Sequence, residues 1–474
     1  MSSPTNQCTT HACSPTLAAL DELKLLKLDH EGTQYSHTEH ELRTAPILTP
    51  DALSNADLTH DDIQYGVFGE LLSVIDKETE ETPSDPRLYL NTNAPFSAIV
   101  CGVQGSGKSH TVATILESMF IQDPRIGSLR QPLCGLVFHM SDGGLESIPS
   151  EAAWLAVSNS PYTETPNVHV YVSPSSIRTM RAVYAPLGKA VVVRPLRFTE
   201  DELDAEAFLM MMSVGSSEAA PLYMQIFLSI LRDLGENYSF AKFMRKLEEK
   251  KQDFNTAQLT GLKQRMALLE TFVDRTGSMT FLPPSRFVAG QVTIVDLSDP
   301  FIDSSAACGI FQVVARLFVR SKVDTGKVLV VDEAHKYLSA SEGLTVSLLT
   351  LIREQRHKAM RVIISTQEPS VVPSTLISLC SVAILHRFSS PSWCEHIAKH
   401  VSADLSTTSA FERVVTLHTG EAVMLAPSGI QMQSPSGTPT SQSGRTLGQF
   451  GRRYLHVRAR QRITRDGGGS RTVL

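Results

Sequence analysis

Residues 96–109 read Phe-Ser-Ala-Ile-Val-Cys-Gly-Val-Gln-Gly-Ser-Gly-Lys-Ser, an apolar stretch of strand length running directly into G-x-x-x-x-G-K-S. The glycines allow the backbone to close into a nest whose N–H groups converge on a phosphate chain. Residues 110–120 are periodic enough to be a helix, and its positive end would face the same anion. In this reading Gly102, Val103, Gln104, Gly105, Ser106 and Gly107, with His110 just beyond, wrap the phosphates of a nucleotide. Lys108 reaches the β/γ-phosphates and the Ser109 hydroxyl ligates Mg²⁺. A chance glycine-rich turn would lack the flanking strand and helix.

A triphosphate site also needs its metal held and its attacking water activated. Residues 327–338 read Lys-Val-Leu-Val-Val-Asp-Glu-Ala-His-Lys-Tyr-Leu, a buried apolar strand ending in two carboxylates. That is the pattern expected where a parallel sheet opens its C-terminal edge to ligand. Asp332 is placed to hold the hydrated Mg²⁺ and Glu333 to polarise a water toward the γ-phosphate. Alone the pair would also fit a strand followed by an acidic turn; beside the glycine loop it completes a site.

With 42% apolar and 19% charged residues in 474, the chain has the composition of a soluble globular protein of two or three domains. It contains no apolar run long enough to span a membrane and no secretory signal, so an intracellular location is expected, without choosing between nucleus and cytoplasm. Of the seven cysteines, Cys101, Cys134, Cys308 and Cys380 lie in apolar segments as reduced core thiols. Cys8, His11 and Cys13 sit close together but lack a fourth metal ligand at sensible spacing. The net charge of −6 argues against a nucleic-acid-coating protein, yet the C-terminal end holds Arg452, Arg453, Arg458, Arg460, Arg462, Arg465 and Arg471 against a single acid, Asp466. This end is either a solvated basic terminus or a phosphate-binding arm.

Composition divides the chain further. Residues 1–60 are polar and read as largely disordered, apart from a short helix over 17–28. Residues 61–87 hold an amphipathic piece at 67–75, read as a short helix, and a charged linker. The core is expected over 88–427. Within it, strand-length apolar runs at 97–101, 135–138, 169–172, 190–193, 292–295, 328–331, 362–365 and 382–385 indicate a parallel sheet covered on both faces. Residues 200–275 interrupt the alternation with helical spacing, a helical insertion whose Met210, Met211 and Met212 serve helix packing or a soft partner surface. Residues 428–444 are a low-complexity linker to the arginine-rich tail, 445–474.

Asp332 lies roughly 220 residues beyond Lys108, which separates this chain from DEAH-box helicases, and no ABC signature precedes the acidic pair. From 290 to 388 the order and spacing resemble the HerA/FtsK superfamily of ring-forming, DNA-pumping ATPases. A strand closes on Asp296-Leu297-Ser298, then come Asp332-Glu333-Ala334-His335, a helix ending near Arg353-Glu354-Gln355-Arg356-His357-Lys358, and Ser365-Thr366-Gln367-Glu368-Pro369-Ser370. The resemblance covers about 88–427. It implies an α/β fold, a RecA-like P-loop NTPase with a mainly parallel sheet, a helical insertion and largely disordered termini. It also implies ATP and Mg²⁺ as ligands, Gln367 contacting the γ-phosphate or attacking water, Arg356 reaching a neighbour's site in a homo-oligomer, by resemblance a hexamer, and DNA in a ring channel. The family's glycines around that arginine are missing here, and the first 87 residues do not resemble its N-terminal barrel. Two functions therefore stand: an ATPase that moves nucleic acid, held by DNA in the channel or on the arginine tail, and an ATP-operated switch or scaffold for protein partners.

Overall fold

The computed structural model describes residues 37–55, 63–76, 79–144, 146–212, 223–274, 285–338, 342–401, 408–433 and 446–468. The chain divides into residues 1–41, of which 37–41 are described and helical, and residues 42–474, which carry the sheet. Cys8, His11, Cys13, the helix expected at 17–28, residues 434–444 of the linker expected at 428–444, and Arg471 lie outside the described residues; the start of that linker is a strand instead, Ile430–Gln433, paired antiparallel with Thr446–Gln449.

The sheet follows from the apolar runs. Side by side and all parallel stand Val191–Pro195, Asn167–Val172, Gln291–Asp296, Cys134–His139, Lys327–Val331, Met360–Thr366, Ser97–Cys101 and Val382–Leu385. The strand that ends before Gln367 thus lies between the glycine-loop strand and the strand that ends before Asp332, with Val331 level with Ile364 and Thr366 with Cys101. That register puts the ends of three strands at one edge. Side chains alternate between faces, as a period of two requires. Ile99, Cys101, Leu136, Phe138, Leu329, Val331, Val362 and Ile364 enter one core with the helices Ser304–Arg320 and Glu342–Arg353. Ala98, Val100, Val137, Val328, Val330 and Ile363 enter the other, under the helices Lys108–Phe120 and Ile177–Tyr184.

The stretch 200–275 holds the helices Ala205–Met212, Tyr223–Leu234, Phe240–Glu249 and Thr256–Phe272, joined to the first core through Phe208, Phe227, Phe243 and Phe272. Met211 and Met212 are buried there, so core packing accounts for them.

Three expectations are corrected. First, residues 67–75 are not a helix: Tyr65–Ile75 is a strand, antiparallel to Arg87–Asn91 and Tyr454–Ala459. Its register shifts between Val67 and Gly69 against one neighbour and between Leu71 and Ser73 against the other, so two bulges space the buried Phe68, Leu71 and Val74 by three and imitate a helical period. Second, order begins well before residue 60. The strand Ile47–Leu48 and the helix Pro50–Asn55 pack through Leu48 and Ala52, while the buried Asn91 amide donates to the carbonyls of Arg43 and Ala45 at 3.1 and 3.0 Å. Third, the arginine-rich end is part of the sheet. Tyr454–Ala459 pairs antiparallel with Glu421–Leu425, which in turn pairs with Val382–Leu385, so both ends of the chain extend the parallel sheet with antiparallel strands. Leu455 and Val457 face inward, and the arginines meet acids that are distant in sequence: Arg458 meets Glu421 at 2.8 Å and Arg460 meets Glu117 at 2.6 Å. No described helix is long and apolar enough to cross a membrane.

Candidate active site

The strand Ser97–Cys101 is buried throughout and stops at Gly102, where a side chain would collide with His386 and Ser106; a Cβ would lie 2.7 Å from each. Gly107 has a φ of 112°, and its Cβ would lie 2.9 Å from the Gly420 nitrogen. Only glycine satisfies both demands at that position, and the helix Lys108–Phe120 starts immediately after it. Ser106 Oγ donates to the Val103 carbonyl at 2.7 Å, and Val103 N donates to Arg387 O at 3.0 Å, which ties the loop to the next strand's end. Gln104 is exposed at the loop tip, and around Gly105 a Cβ would meet only open space.

Lys108 Nζ folds over this loop and donates to the Val103 carbonyl at 2.9 Å. Burial lowers the ammonium's pKa against the opposing pull of Glu333 and Asp332, so one lysine and two carboxylates share the strand ends. Ser109 and Asp332 line one small cavity, together with Val137, Val330 and Glu151. His110, one residue further, lies 2.8 Å from the Arg460 carbonyl and 3.3 Å from Asp466 Oδ2, engaged by the C-terminal segment.

Asp332 is anchored from three sides. Its N–H donates to Phe138 O at 3.0 Å, its carbonyl accepts from Tyr337 Oη at 2.5 Å, and its Oδ2 lies 3.2 Å from His139 Nδ1. Burial pushes the Asp332 carboxyl upward, but the hydrogen bond and charge of His139, with Ser365 and the Glu333 amide, outweigh it and hold the group below its ordinary value. Burial pushes His139 down, and Asp296 and Asp332 carry it above the ordinary imidazole value. An ionised carboxylate beside a serine hydroxyl is the oxygen donor set that suits Mg²⁺.

Glu333 adopts a left-handed backbone, with a φ of 49°, at the turn after the strand. Gln367 Nε2 donates to both of its carboxylate oxygens at 2.9 Å. His335 Nδ1 stands 3.3 Å from Glu333 Oε2 and accepts weakly from Gln367 N at 3.5 Å. The His335 imidazole is pulled down by burial against the charge of Glu333.

Lys108, Ser109, Asp332, Glu333 and Gln367 therefore meet at one edge of the sheet. Arg356 does not join them. It is exposed in the turn between the helix Glu342–Arg353 and the strand Met360–Thr366, at the start of that strand, whereas Gln367 follows its end. At about 3.3 Å per residue the seven-residue strand sets them on the order of 20 Å apart.

Two histidines escape the motif reading. His139 ends the strand Cys134–His139, and His386 follows the strand Val382–Leu385, both at the C-terminal edge where ligands meet parallel sheets. Their position at the ends of apolar runs was the available signal. His386 is buried beneath the loop, where Nδ1–H donates to Glu421 O at 2.8 Å and Nε2 accepts from Thr111 Oγ1 at 3.0 Å.

No protein-family model matches the chain, and no curated protein matches it. Solved structures are similar at low identity. VirB4 of Thermoanaerobacter pseudethanolicus is 11% identical with a TM-score of 0.45, over 83% of this chain and 96% of that one. The genome packaging NTPase B204 of Sulfolobus turreted icosahedral virus 2, in complex with AMP, is 12% identical with a TM-score of 0.30, over 77% and 98%. The cytoplasmic domain of the type VII secretion ATPase EccC of Thermomonospora curvata is 12% identical with a TM-score of 0.33, over 87% of this chain and 30% of that one.

Proposed function

We propose that this chain is an Mg²⁺-dependent ATPase of HerA/FtsK type. One observation carries the proposal: a glycine loop opening a helix, a lysine, and an Asp-Glu pair meet a glutamine presented by the strand between them. The loop amides and Lys108 would bind and orient the phosphates. Ser109 and Asp332 would hold Mg²⁺, which when bound offsets the charge of the phosphate oxygens. Glu333 would take the proton of the attacking water, and Gln367 would contact the γ-phosphate. An attack by water on the terminal phosphoryl group needs positioning and charge stabilisation above all, and these residue types supply both.

For the coupled work, movement of DNA through a ring channel rests on the sequence resemblance. One observation favours the alternative, an ATP-operated switch or scaffold: Arg458, Arg460 and Arg462 pair with acids of the same chain, so part of the charge at the C-terminal end is neutralised within the fold, while Arg452 and Arg465 stay exposed. Phosphate release by the purified full chain, measured with Mg²⁺ or with a chelator and with or without duplex DNA, tests both levels. Mg²⁺-dependent release is expected, and none under any condition overturns the ATPase. Stimulation by DNA supports translocation; equal rates with and without DNA support the switch.

A further inference from the structure

The row of parallel strands ends, far from the glycine loop, at Val191–Pro195, which pairs with Asn167–Val172 alone among the described strands. Successive strands stand about 4.8 Å apart, so this free edge lies on the order of 30 Å from the strand that carries the glycine loop. Residues 165–199, which build the edge, hold five Arg or Lys and no Asp or Glu, in a chain whose net charge is −6. Arg178 and Arg181 are exposed and three residues apart on the helix Ile177–Tyr184, whose Met180, Val183 and Tyr184 are buried against the sheet. Lys189 is exposed in the turn that leads into the edge strand. None of these three makes an ion pair among the described residues, whereas Arg458, Arg460 and Arg462 all do. Arg178 also stands in the first turn of its helix, where the peptide dipoles oppose a cation and no acid offsets it. Local stability gives no reason for a cation there; an anion from outside the chain does.

We infer that this free edge is a docking surface for the phosphate backbone of nucleic acid, with Arg178, Arg181 and Lys189 as its cations. A protein partner would bury an apolar centre, yet Val192, 38% exposed, is the only large apolar side chain that 165–199 leaves exposed. A membrane surface would likewise call for apolar side chains to insert. A phosphate chain needs neither, since cations supply most of its contacts without reading base sequence. The acidity of the remaining chain sharpens the contrast, because it repels a polyanion everywhere else and turns this face toward it. The inference is independent of the nucleotide reading: it names a partner and places it at the sheet edge, on charges that the fold itself does not use.

Anisotropy of a fluorescent DNA duplex, titrated with the full nucleotide-free chain over a series of salt concentrations, tests this. The parent should bind with an affinity that falls steeply as salt rises. Combining Arg178→Gln, Arg181→Gln and Lys189→Gln should weaken binding at least about tenfold at low salt and lower the log–log salt slope by about 2 to 3, since each phosphate contact contributes about 0.9. Urea unfolding at the parent's midpoint verifies the fold, and Arg178→Lys with Arg181→Lys, which keeps both charges, should bind as the parent does. Arg452→Gln with Arg465→Gln removes exposed charge from the C-terminal end and should change the slope by less than about 1. Polyglutamate of equal total charge should bind more weakly than the duplex, because DNA carries a charge every ~1.7 Å and an extended peptide one every ~3.3 Å. A parent that does not bind the duplex, or a triple variant with the parent's slope, overturns the inference. So does a larger loss from the C-terminal pair, which would move the contact there, or polyglutamate binding as tightly as DNA, which would make the partner an acidic protein. Each of these results leaves the ATPase reading untouched, because phosphate release measures that separately.

Discussion

His386 supports the phosphate loop as a neutral ring, donating through Nδ1 and accepting through Nε2. Burial lowers its pKa to about 4, against a small opposing pull from the Glu421 carbonyl. The unfolded chain binds a proton near pH 6.5 while the folded ring resists it, so the stability this residue contributes is complete above pH 6.5 and falls as the pH drops toward about 4. Each pH unit in that window removes about 1.4 kcal/mol. Urea unfolding of the parent should therefore lose stability more steeply between those values than unfolding of His386→Gln, by close to one proton, and equal slopes would show that the ring is not kept neutral. The chemistry at the loop separates in a similar way. Lys108→Ala should abolish tight ATP binding in a folded protein, whereas Glu333→Gln should bind ATP and turn over at least about a hundredfold more slowly, because only the water-activating group is lost. Equilibrium binding and phosphate release distinguish the two. That Lys108, Ser109, Asp332 and Glu333 meet at one edge was legible in the sequence because each sits in a short motif that ends an apolar strand or opens a helix. His139 and His386 were not, since a single histidine after an apolar strand has no local partner and acquires one only through the sheet.

Among the elements, the helix Lys108–Phe120 shows what the sequence could not convey. Its period was readable, but Glu117 is 0% exposed and is satisfied by residues more than 340 positions away. Glu117 accepts from Ile463 N at 3.1 Å, from Thr464 N at 2.9 Å and from Thr464 Oγ1 at 2.6 Å, and it pairs with Arg460. Arg462, 2% exposed, bridges Glu117 and Glu151. The arginine-rich end thus straps the helix that follows the glycine loop, and the charges of Arg460 and Arg462 are spent inside the fold. The parallel strands were legible because continuous Val, Ile and Leu runs need no partner to be recognised. The strand Tyr65–Ile75 was misread because its two bulges give apolar residues a spacing of three. Breaking one side of a buried charge cluster leaves the other side uncompensated, at a cost of about 3–5 kcal/mol. Glu117→Ala should lose stability on that scale in urea unfolding, and Glu117→Gln, which keeps an acceptor, should lose less; a loss under about 1 kcal/mol for the alanine variant would mean that the strap does not hold the helix.

At the scale of the whole molecule, the strand order sets every site residue but one at the same edge, and the exception bears on assembly. Arg356 stands at the start of the strand whose far end leads to Gln367, so within one chain it is out of reach of the phosphates. If Arg356 takes part in catalysis, it must therefore do so on another copy. Arginines supplied from a neighbour raise phosphoryl-transfer rates by about 10³ to 10⁵, so the enzyme would be active chiefly when assembled. Arg356→Ala should then lose nearly all turnover while binding ATP normally, and Glu333→Gln should be inactive for a different reason. In mixtures of the two, some interfaces join an intact base on one copy to an intact arginine on the next, and activity should return in proportion to those interfaces. Phosphate release across mixing ratios, with sizing in ATP, measures this. A chain that stays monomeric at every ATP concentration, and whose rate per molecule is independent of protein concentration, would exclude the shared site. It would also leave Arg356 an ordinary solvated residue at the end of its helix.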